Sequence, residues 1–266
     1  LTILTLKILL MIVYLSHWDW NLYKSRKDIV LNLNDLNFTA ICPEGKYIKE
    51  LSSIYKDCIN WEIERKKTFD IKGIINLKNI LNLLEEDAIV HSFTLRTGIL
   101  YSISNLFVKN NLKGILSING LGYLFSNNLK AKILKFLLST FIKISFNKYF
   151  KEIIFQNKCD QETFLKYSKY SGKISLIEGS GIEINNYVKK ETYEQKKLKV
   201  IFVSRLLIDK GVYEYIQLTR NIENKNIDFY LAGEIDEGNP NSITNKSLNN
   251  IKSEGNLKYI GPINVE

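Results

Sequence analysis

Short apolar runs, separated by stretches with helical periodicity, are the feature that most constrains the fold of this chain. The runs cover residues 8–15, 38–42, 88–90, 114–118, 153–155, 174–177, 200–203, 229–232 and 257–260. Strands that alternate with helices predict βαβ units and a parallel sheet. The runs are almost continuously apolar, as expected for strands that are covered on both faces. The sequence therefore predicts an α/β fold with mostly parallel sheets.

The polar, charged stretch near 182–198 contains no buried run, which is typical of a boundary between domains. We expect a first domain over 1–184, a linker over 185–198 and a second domain over 199–266. The second domain offers only three strands, and such a sheet would leave one edge and one face uncovered. We therefore expect the second domain to be cut short.

The N-terminal run "LTILTLKILLMIVYLS" resembles a signal peptide or membrane anchor at first sight. Its apolar part is shorter than the roughly 20 residues that a membrane span needs, and Lys7 interrupts it. No small-residue cleavage site follows. The run is predicted to be a buried parallel strand, with a membrane anchor as the alternative.

The chain is basic, with 37 Lys and Arg against 28 Asp and Glu, for a net charge of +9. A basic chain can serve nucleic acid, an anionic membrane or an anionic ligand. Base composition alone can also produce this bias, because the chain is crowded with Lys, Asn and Ile. Aromatic residues do not interleave with basic clusters in any nucleic-acid-binding motif, so we expect no nucleic-acid partner.

The three cysteines and two histidines have no spacing that builds a zinc site, so we expect no metal. Cysteines that are few, odd in number and far apart indicate a reducing compartment, and therefore a cytoplasmic protein. The sequence also contains neither a Walker A motif nor a G-x-G-x-x-G motif.

Residues 129–150, "LKAKILKFLLSTFIKISFNKYF", show the pattern of an amphipathic helix. One side carries Leu129, Ile133, Leu137, Phe141 and Ile144, and the opposite side carries Lys132, Lys135 and Lys143. A basic amphipathic helix can lie on an anionic bilayer, and a core helix with a solvated lysine face has the same pattern. We expect its apolar side to be only partly covered by protein.

In the stretch "KVIFVSRLLIDKGVYEYI", residues 199–216, Arg205, Lys210 and Gly211 separate a strand from a helix. Ligands of open α/β sheets bind beyond the carboxyl ends of the strands, where helix N-termini attract anions. An Arg fork and a Lys charge suit a diphosphate, and glycine allows close backbone approach. The alternative is a surface turn in which Asp209 pairs with Lys210.

The stretch "FVSRLLIDKGVYEYI" resembles the donor-site motif of GT-B glycosyltransferases of family 4, which are retaining sugar transferases. The stretches "LIEGSGIEINNY", "FYLAGE" and "LKYIGPI" are similar to further segments of that family in the same order. The resemblance implies a GT-B fold of two Rossmann-like domains, the second incomplete. It also implies that a nucleotide-sugar diphosphate binds Arg205, Lys210 and Gly211, and that its nucleoside contacts Gly261, Pro262 and Ile263.

The stretches "DAIVHSFTLRTGIL" and "SINGLGYLF" resemble the subgroup that builds lipid-linked surface oligosaccharides. This implies a catalytic-site position for Asn119, where many relatives carry His. Asn cannot act as a base, but it can hydrogen-bond a sugar hydroxyl. His91 is the second catalytic candidate, with a structural histidine as the alternative.

Acceptor binding is implied for His17, Arg26, Gly120 and Gly122. Arg26 is a candidate for the acceptor's phosphate, and the alternative is a surface arginine at a helix start.

The resemblance implies transfer of a hexose from a nucleotide-sugar, UDP-linked, to a lipid-linked glycan during surface polysaccharide synthesis. No cofactor is implied. We expect a cytoplasmic enzyme, peripheral at the inner face of the plasma membrane. The family's acidic motif, two Glu separated by seven residues, would fall after residue 266, so we expect incomplete donor binding by this chain. The alternatives are an inactive remnant of such an enzyme and a basic nucleic-acid-binding protein.

Overall fold

The computed structural model describes residues 11–33, 35–64, 67, 69–122, 125, 129–181, 184, 197–236, 239, 241–252 and 257–263, with the backbone alone at 130–132 and 134. The chain divides into two compact units, Leu1–Tyr187 and Val188–Glu266. The predicted linker, 185–198, lies outside the described residues except for its last two.

The first unit is built on a parallel sheet of seven strands in the order β3-β2-β1-β4-β5-β6-β7. The strands are β1 (Ile12–Leu15), β2 (Phe38–Cys42), β3 (Asp57–Asn60), β4 (Ile89–Phe93), β5 (Lys113–Ile118), β6 (Phe150–Phe155) and β7 (Lys173–Leu176). Its helices are α1 (Asp19–Asn32), α2 (Ile48–Ile54), α3 (Ile71–Leu81), α4 (Leu95–Asn105), α5 (Leu129–Tyr149) and α6 (Lys158–Ser168).

Helices cover both faces of this sheet. Successive strand residues point to opposite sides, so each strand packs side chains against the helices on both faces. Residues such as Val13 and Leu116 pack with α3, α4, α5 and α6 in one buried cluster. Tyr14 and Phe93 belong to a second cluster, with Leu22 of α1 and Leu51 of α2. This two-sided burial explains the nearly continuous apolar runs of the sequence.

The second unit contains a parallel sheet of three strands in the order β10-β9-β8. Its elements are β8 (Leu198–Val203), a single 3-10 turn (Ile208–Lys210), α7 (Val212–Asn221), β9 (Ile227–Ala232), α8 (Asn245–Lys252) and β10 (Leu257–Gly261). Side chains of α7 and α8 cover one face of the sheet. The other face leaves Ile201, Val203 and Ile260 exposed.

The predicted α/β architecture is confirmed, and all nine apolar runs contain strands. The N-terminal run contributes β1, a buried interior strand of the sheet, as predicted, although residues 1–10 lie outside the described part. The sequence patterns did not predict β3, because this half-exposed edge strand has no apolar pattern. Among the described residues, no helix has the length and apolar character needed to cross a membrane.

Candidate functional site

The loops that follow β8, β9 and β10 form one edge of the second unit. The N–H of Leu206 donates to the carbonyl oxygen of Glu234 at 2.9 Å. The N–H of Gly233 donates to the carbonyl oxygen of Gly261, also at 2.9 Å. Gly233 comes so close to the preceding loop that a Cβ there would lie 1.8 Å from the carbonyl oxygen of Ser204. The carboxyl edge of the second sheet is therefore a tightly connected backbone platform.

Arg205 is held in place on this edge by Asp236. Its Nη1 atom donates to Oδ2 of Asp236 at 2.7 Å. The carboxylate is only 8% exposed, whereas the arginine side chain is 43% exposed. The loop after β9 is fixed in turn, because the N–H of Asp236 donates to Oγ of Ser242 at 3.0 Å. The pair engages one terminal nitrogen, so an accessible guanidinium edge remains for an anion.

Asp236 is a site residue that sequence reasoning missed. It is 31 residues from Arg205 along the chain. Its position shortly after β9 could have indicated it, because an acidic residue there lies at the same sheet edge as Arg205.

Lys210 and Gly211 lie between the 3-10 turn and α7. Lys210 is exposed, and Gly211 has φ +84°, the left-handed conformation that favours glycine. The N-cap residue of α7 is Gly211, which has no side chain to cap the helix, so the first N–H groups have no such partner and can bind an anion. Within the described part of the chain, no ion pair joins Lys210 to Asp209, so the predicted alternative of such a pair is not observed.

The structure thus places Arg205 and Lys210 on one short loop at one sheet edge, both exposed. The candidate nucleoside residues lie at the same edge. Gly261 has φ +79°, and Pro262 and Ile263 are exposed beyond it. Gly261 ends β10, and Pro262 and Ile263 follow it, two strands away from the loop of Arg205.

The carboxyl edge of the first sheet carries a second polar cluster. His17 follows β1, and its Nδ1 lies 2.9 Å from Oγ1 of Thr97 and 3.3 Å from Oγ1 of Thr94. Thr94 caps α4 by accepting from the N–H of Thr97, with φ +83°. A positive φ at a β-branched residue is strained, and such strain clusters at functional sites. Sequence reasoning missed both threonines, although the T-x-x-T spacing at a helix start was visible.

Asn119 follows β5 at this edge, next to the loop of Thr94 because β4 and β5 are neighbours. Its Oδ1 atom is buried and has no hydrogen-bond partner among the described residues. A buried acceptor without a donor destabilises the folded state, so this oxygen can gain a hydrogen bond from a ligand's hydroxyl or N–H group. Gly120 and Gly122 are exposed beside it, and Gly122 has φ +60°.

His91 lies inside β4 rather than at its end. Its Nε2 is 2.8 Å from Oγ of Ser117, and its ring contacts those of Tyr14 and Phe93. Burial, followed by the charge of Arg26, lowers the pKa of His91 to about 3. Such a neutral, hydrogen-bonded imidazole is a weak base, which favours the structural interpretation that the sequence left open. A catalytic role for His91 stays a prediction.

Arg26 is not the surface arginine that the sequence offered as an alternative. It is 6% exposed, and its guanidinium carbon lies 4.4 Å from the centre of the Phe93 ring. Burial lowers its pKa, and its Nε has no hydrogen-bond partner among the described residues. Its proposed contact with an acceptor phosphate stays a prediction, and the low exposure weighs against it.

Metal-ligating side chains do not converge in the part of the chain that the structure describes. No three His, Cys, Asp or Glu residues there come close enough to hold an ion.

The chain is similar to solved structures, although no protein-family model and no curated protein matches its sequence. A crystal structure of Anabaena Alr3699/HepE in complex with UDP-glucose has a TM-score of 0.66 and 14% identity, over 96% of this chain and 69% of that chain. Sucrose-phosphate synthase from Thermosynechococcus elongatus has a TM-score of 0.70 and 13% identity, over 96% and 71%.

A UDP-N-acetylglucosamine 2-epimerase is also similar, with a TM-score of 0.58 and 11% identity, over 96% of this chain and 69% of that chain. At these identities the likeness shows the fold alone. The seven-stranded Rossmann-like unit, the second parallel sheet and these neighbours together establish that the chain has the GT-B fold.

Proposed function

We propose that this protein transfers a hexose from a UDP-sugar to a lipid-linked glycan, with retention of the anomeric configuration. The observation that carries the proposal is the edge of the second sheet, where Arg205, Lys210 and the uncapped start of α7 present positive charge together. The Anabaena structure with UDP-glucose supports a nucleotide-sugar as the ligand of this fold.

The diphosphate of the donor would bind between Arg205 and Lys210. Asp236 orients the guanidinium before the ligand arrives, which reduces the entropy that binding costs. Charge develops on the departing diphosphate during transfer, so both cations stabilise the transition state as well as the bound donor. The base would lie near Gly261, roughly 10 Å away across two strand spacings, a span that a nucleoside diphosphate bridges.

The acceptor would bind at the carboxyl edge of the first sheet. His17, Thr94 and Asn119 lie there on neighbouring strand ends. Their side chains carry imidazole, hydroxyl and amide groups, which can hydrogen-bond sugar hydroxyls. Oδ1 of Asn119 would accept from one of them. The lipid-linked class of acceptor rests on the resemblance of "SINGLGYLF" to that subgroup.

UDP binding tests the donor site. Titration calorimetry is run on the native chain, on Lys210→Ala and on the control Lys199→Ala, which removes another exposed lysine of the second unit. A charge-assisted hydrogen bond contributes about 1.5–3 kcal/mol, so Lys210→Ala should weaken UDP binding about 10- to 150-fold. Equal affinities in all three proteins would refute the donor site.

A turnover assay separates the transferase from the epimerase alternative, which the similar epimerase structure raises. The protein is incubated with UDP-hexoses and UDP-N-acetylglucosamine, with and without a polyprenyl-diphosphate-linked glycan. If the protein is a retaining transferase, an α-linked donor should give a glycolipid that is one sugar longer, with an α-glycosidic bond. UDP should be released only when the acceptor is present. If UDP-N-acetylglucosamine is instead converted to its 2-epimer in the absence of an acceptor, the protein is an epimerase and the proposal is wrong.

A further inference from the structure

The outward side of α5 is an apolar surface that the described protein does not cover. Five of its side chains are between 53% and 76% exposed. They are Leu129, Ile133, Phe136, Leu137 and Ile144. The inward side packs through Ile142, Phe146 and Tyr149 into the larger core cluster of the first unit. The helix is therefore fixed to the domain by one side and presents a second apolar side to its surroundings.

The exposed apolar residues form one stripe rather than scattered contacts. At about 100° per residue, they span about 100° of the helix circumference, from Phe136 to Leu137. Single exposed apolar side chains are ordinary, whereas five on one arc of a helix mark an interaction surface, although this arc also contains the exposed Thr140 and Asn147. This corrects two sequence expectations. Phe141 is half-buried and the stripe includes Phe136 instead, and Lys143 lies beside the stripe rather than on the opposite side.

Lysine positions border the stripe on both sides. Lys143 and Lys148 are exposed, and each lies about 20° beyond one edge of the stripe at this helical spacing, with the Nζ of Lys148 4.9 Å from the centre of the Tyr149 ring. Lys135 is directed elsewhere, with its Nζ 4.3 Å from the centre of the Tyr167 ring. The 21 residues of α5 contain five lysines and no acidic residue. An apolar stripe between lysines thus belongs to a helix without any negative charge.

We propose that α5 lies in the plane of an anionic membrane surface, with this stripe in the interface between headgroups and acyl chains. A helix that is apolar on one side and lysine-flanked binds such surfaces by burial and by attraction to anionic lipids. Lysine stems can follow the apolar surface while their charges reach the headgroups. Charge complementarity selects lipid over a second copy of α5, because two such helices would repel each other. The inference concerns a different surface from the nucleotide site and does not rest on it.

Vesicle sedimentation tests the proposal with the native chain. The vesicles contain phosphatidylcholine alone, or phosphatidylcholine with about one third phosphatidylglycerol. We expect binding to the anionic vesicles only, and its loss at 1 M NaCl, where the Debye length falls to about 3 Å.

Matched variants identify the surface. Phe136→Glu should lower the partition coefficient about tenfold or more, because it removes a large apolar side chain that the membrane would bury. Phe107→Glu is its control, since Phe107 is similarly exposed but lies after the end of α4. Lys143→Gln should lower the coefficient about fivefold, and Lys49→Gln on α2 should leave it unchanged. All four side chains are exposed, so thermal unfolding should stay close to that of the native chain.

Three outcomes would overturn the proposal. They are absence of binding to the anionic vesicles, equal binding to both kinds of vesicle, and equal losses for Phe136→Glu and Phe107→Glu. Self-association in vesicle-free sedimentation that Phe136→Glu abolishes would assign the stripe to a second copy instead. UDP affinity of Phe136→Glu is measured in parallel. If this affinity equals that of the native chain, any change in vesicle binding concerns α5 alone and not the nucleotide site.

Discussion

The pair of Arg205 and Asp236 allows the structural and the ligand-binding roles of the arginine to be separated. Arg205→Ala removes the guanidinium that lies 2.7 Å from the carboxylate, which is only 8% exposed. Breaking a fully buried pair costs about 3–5 kcal/mol, and an exposed pair contributes about 0–1 kcal/mol. Because the arginine itself is 43% exposed, we expect a loss of about 1–2 kcal/mol.

The loss should appear in the second unit alone. For a domain of its size, 1 kcal/mol corresponds to roughly 4–8 °C in the melting temperature. Hydrogen exchange followed by mass spectrometry resolves the two units, and amides of β9 and α7 should exchange faster in Arg205→Ala. Amides of β4 and β5 in the first unit serve as the internal control and should be unaffected.

The single variant Asp236→Ala and the double variant Arg205→Ala with Asp236→Ala complete a double-mutant cycle, and the double variant is the informative one. It removes the buried carboxylate as well, so most of the lost stability should return. UDP affinity should not return, because the phosphate contact depends on the guanidinium. If the double variant binds UDP as the native chain does, Arg205 is not a diphosphate ligand. If Arg205→Ala leaves exchange in β9 unchanged, our account of the pair as a support for the loop is wrong.

Two further predictions concern glycines at the edge of the second sheet and His91 of the first. Gly233→Ala should destabilise the second unit by more than the roughly 1–3 kcal/mol of a strained backbone position, because its Cβ would meet the Ser204 carbonyl oxygen at 1.8 Å. Gly261→Ala, with φ +79° and open space, should cost only that strain, and equal melting temperatures would refute the difference. The pKa of His91 is lowered from 6.5 to about 3, so the unfolded chain takes up a proton in this window that the folded chain does not. Stability of the first unit should therefore be present above pH 6.5 and fall toward pH 3, by up to about 3 kcal/mol at pH 4.5, and His91→Gln should flatten this part of the profile measured by urea unfolding.

The sequence by itself determined the class of the fold. Apolar runs such as 38–42 and 114–118 are too short for helices and too apolar for exposed strands, so burial in a parallel sheet was the remaining solution. It also determined that Arg205 and Lys210 lie at the carboxyl edge of a sheet, because any residue between a parallel strand and its following helix does so. These conclusions depend on neighbours along the chain.

Tertiary structure decided what depends on residues far apart along the chain. The edge strand β3 has no apolar pattern, and only its pairing with β2 makes it a strand. Asp236 reaches Arg205 because β8 and β9 are neighbours in the sheet, which no local signal specifies. The helical pattern of α5 predicted two sides, but packing decided that Phe146 is buried and Phe136 is exposed. Both sides of that helix are apolar, so the choice between them required the core against which one side packs.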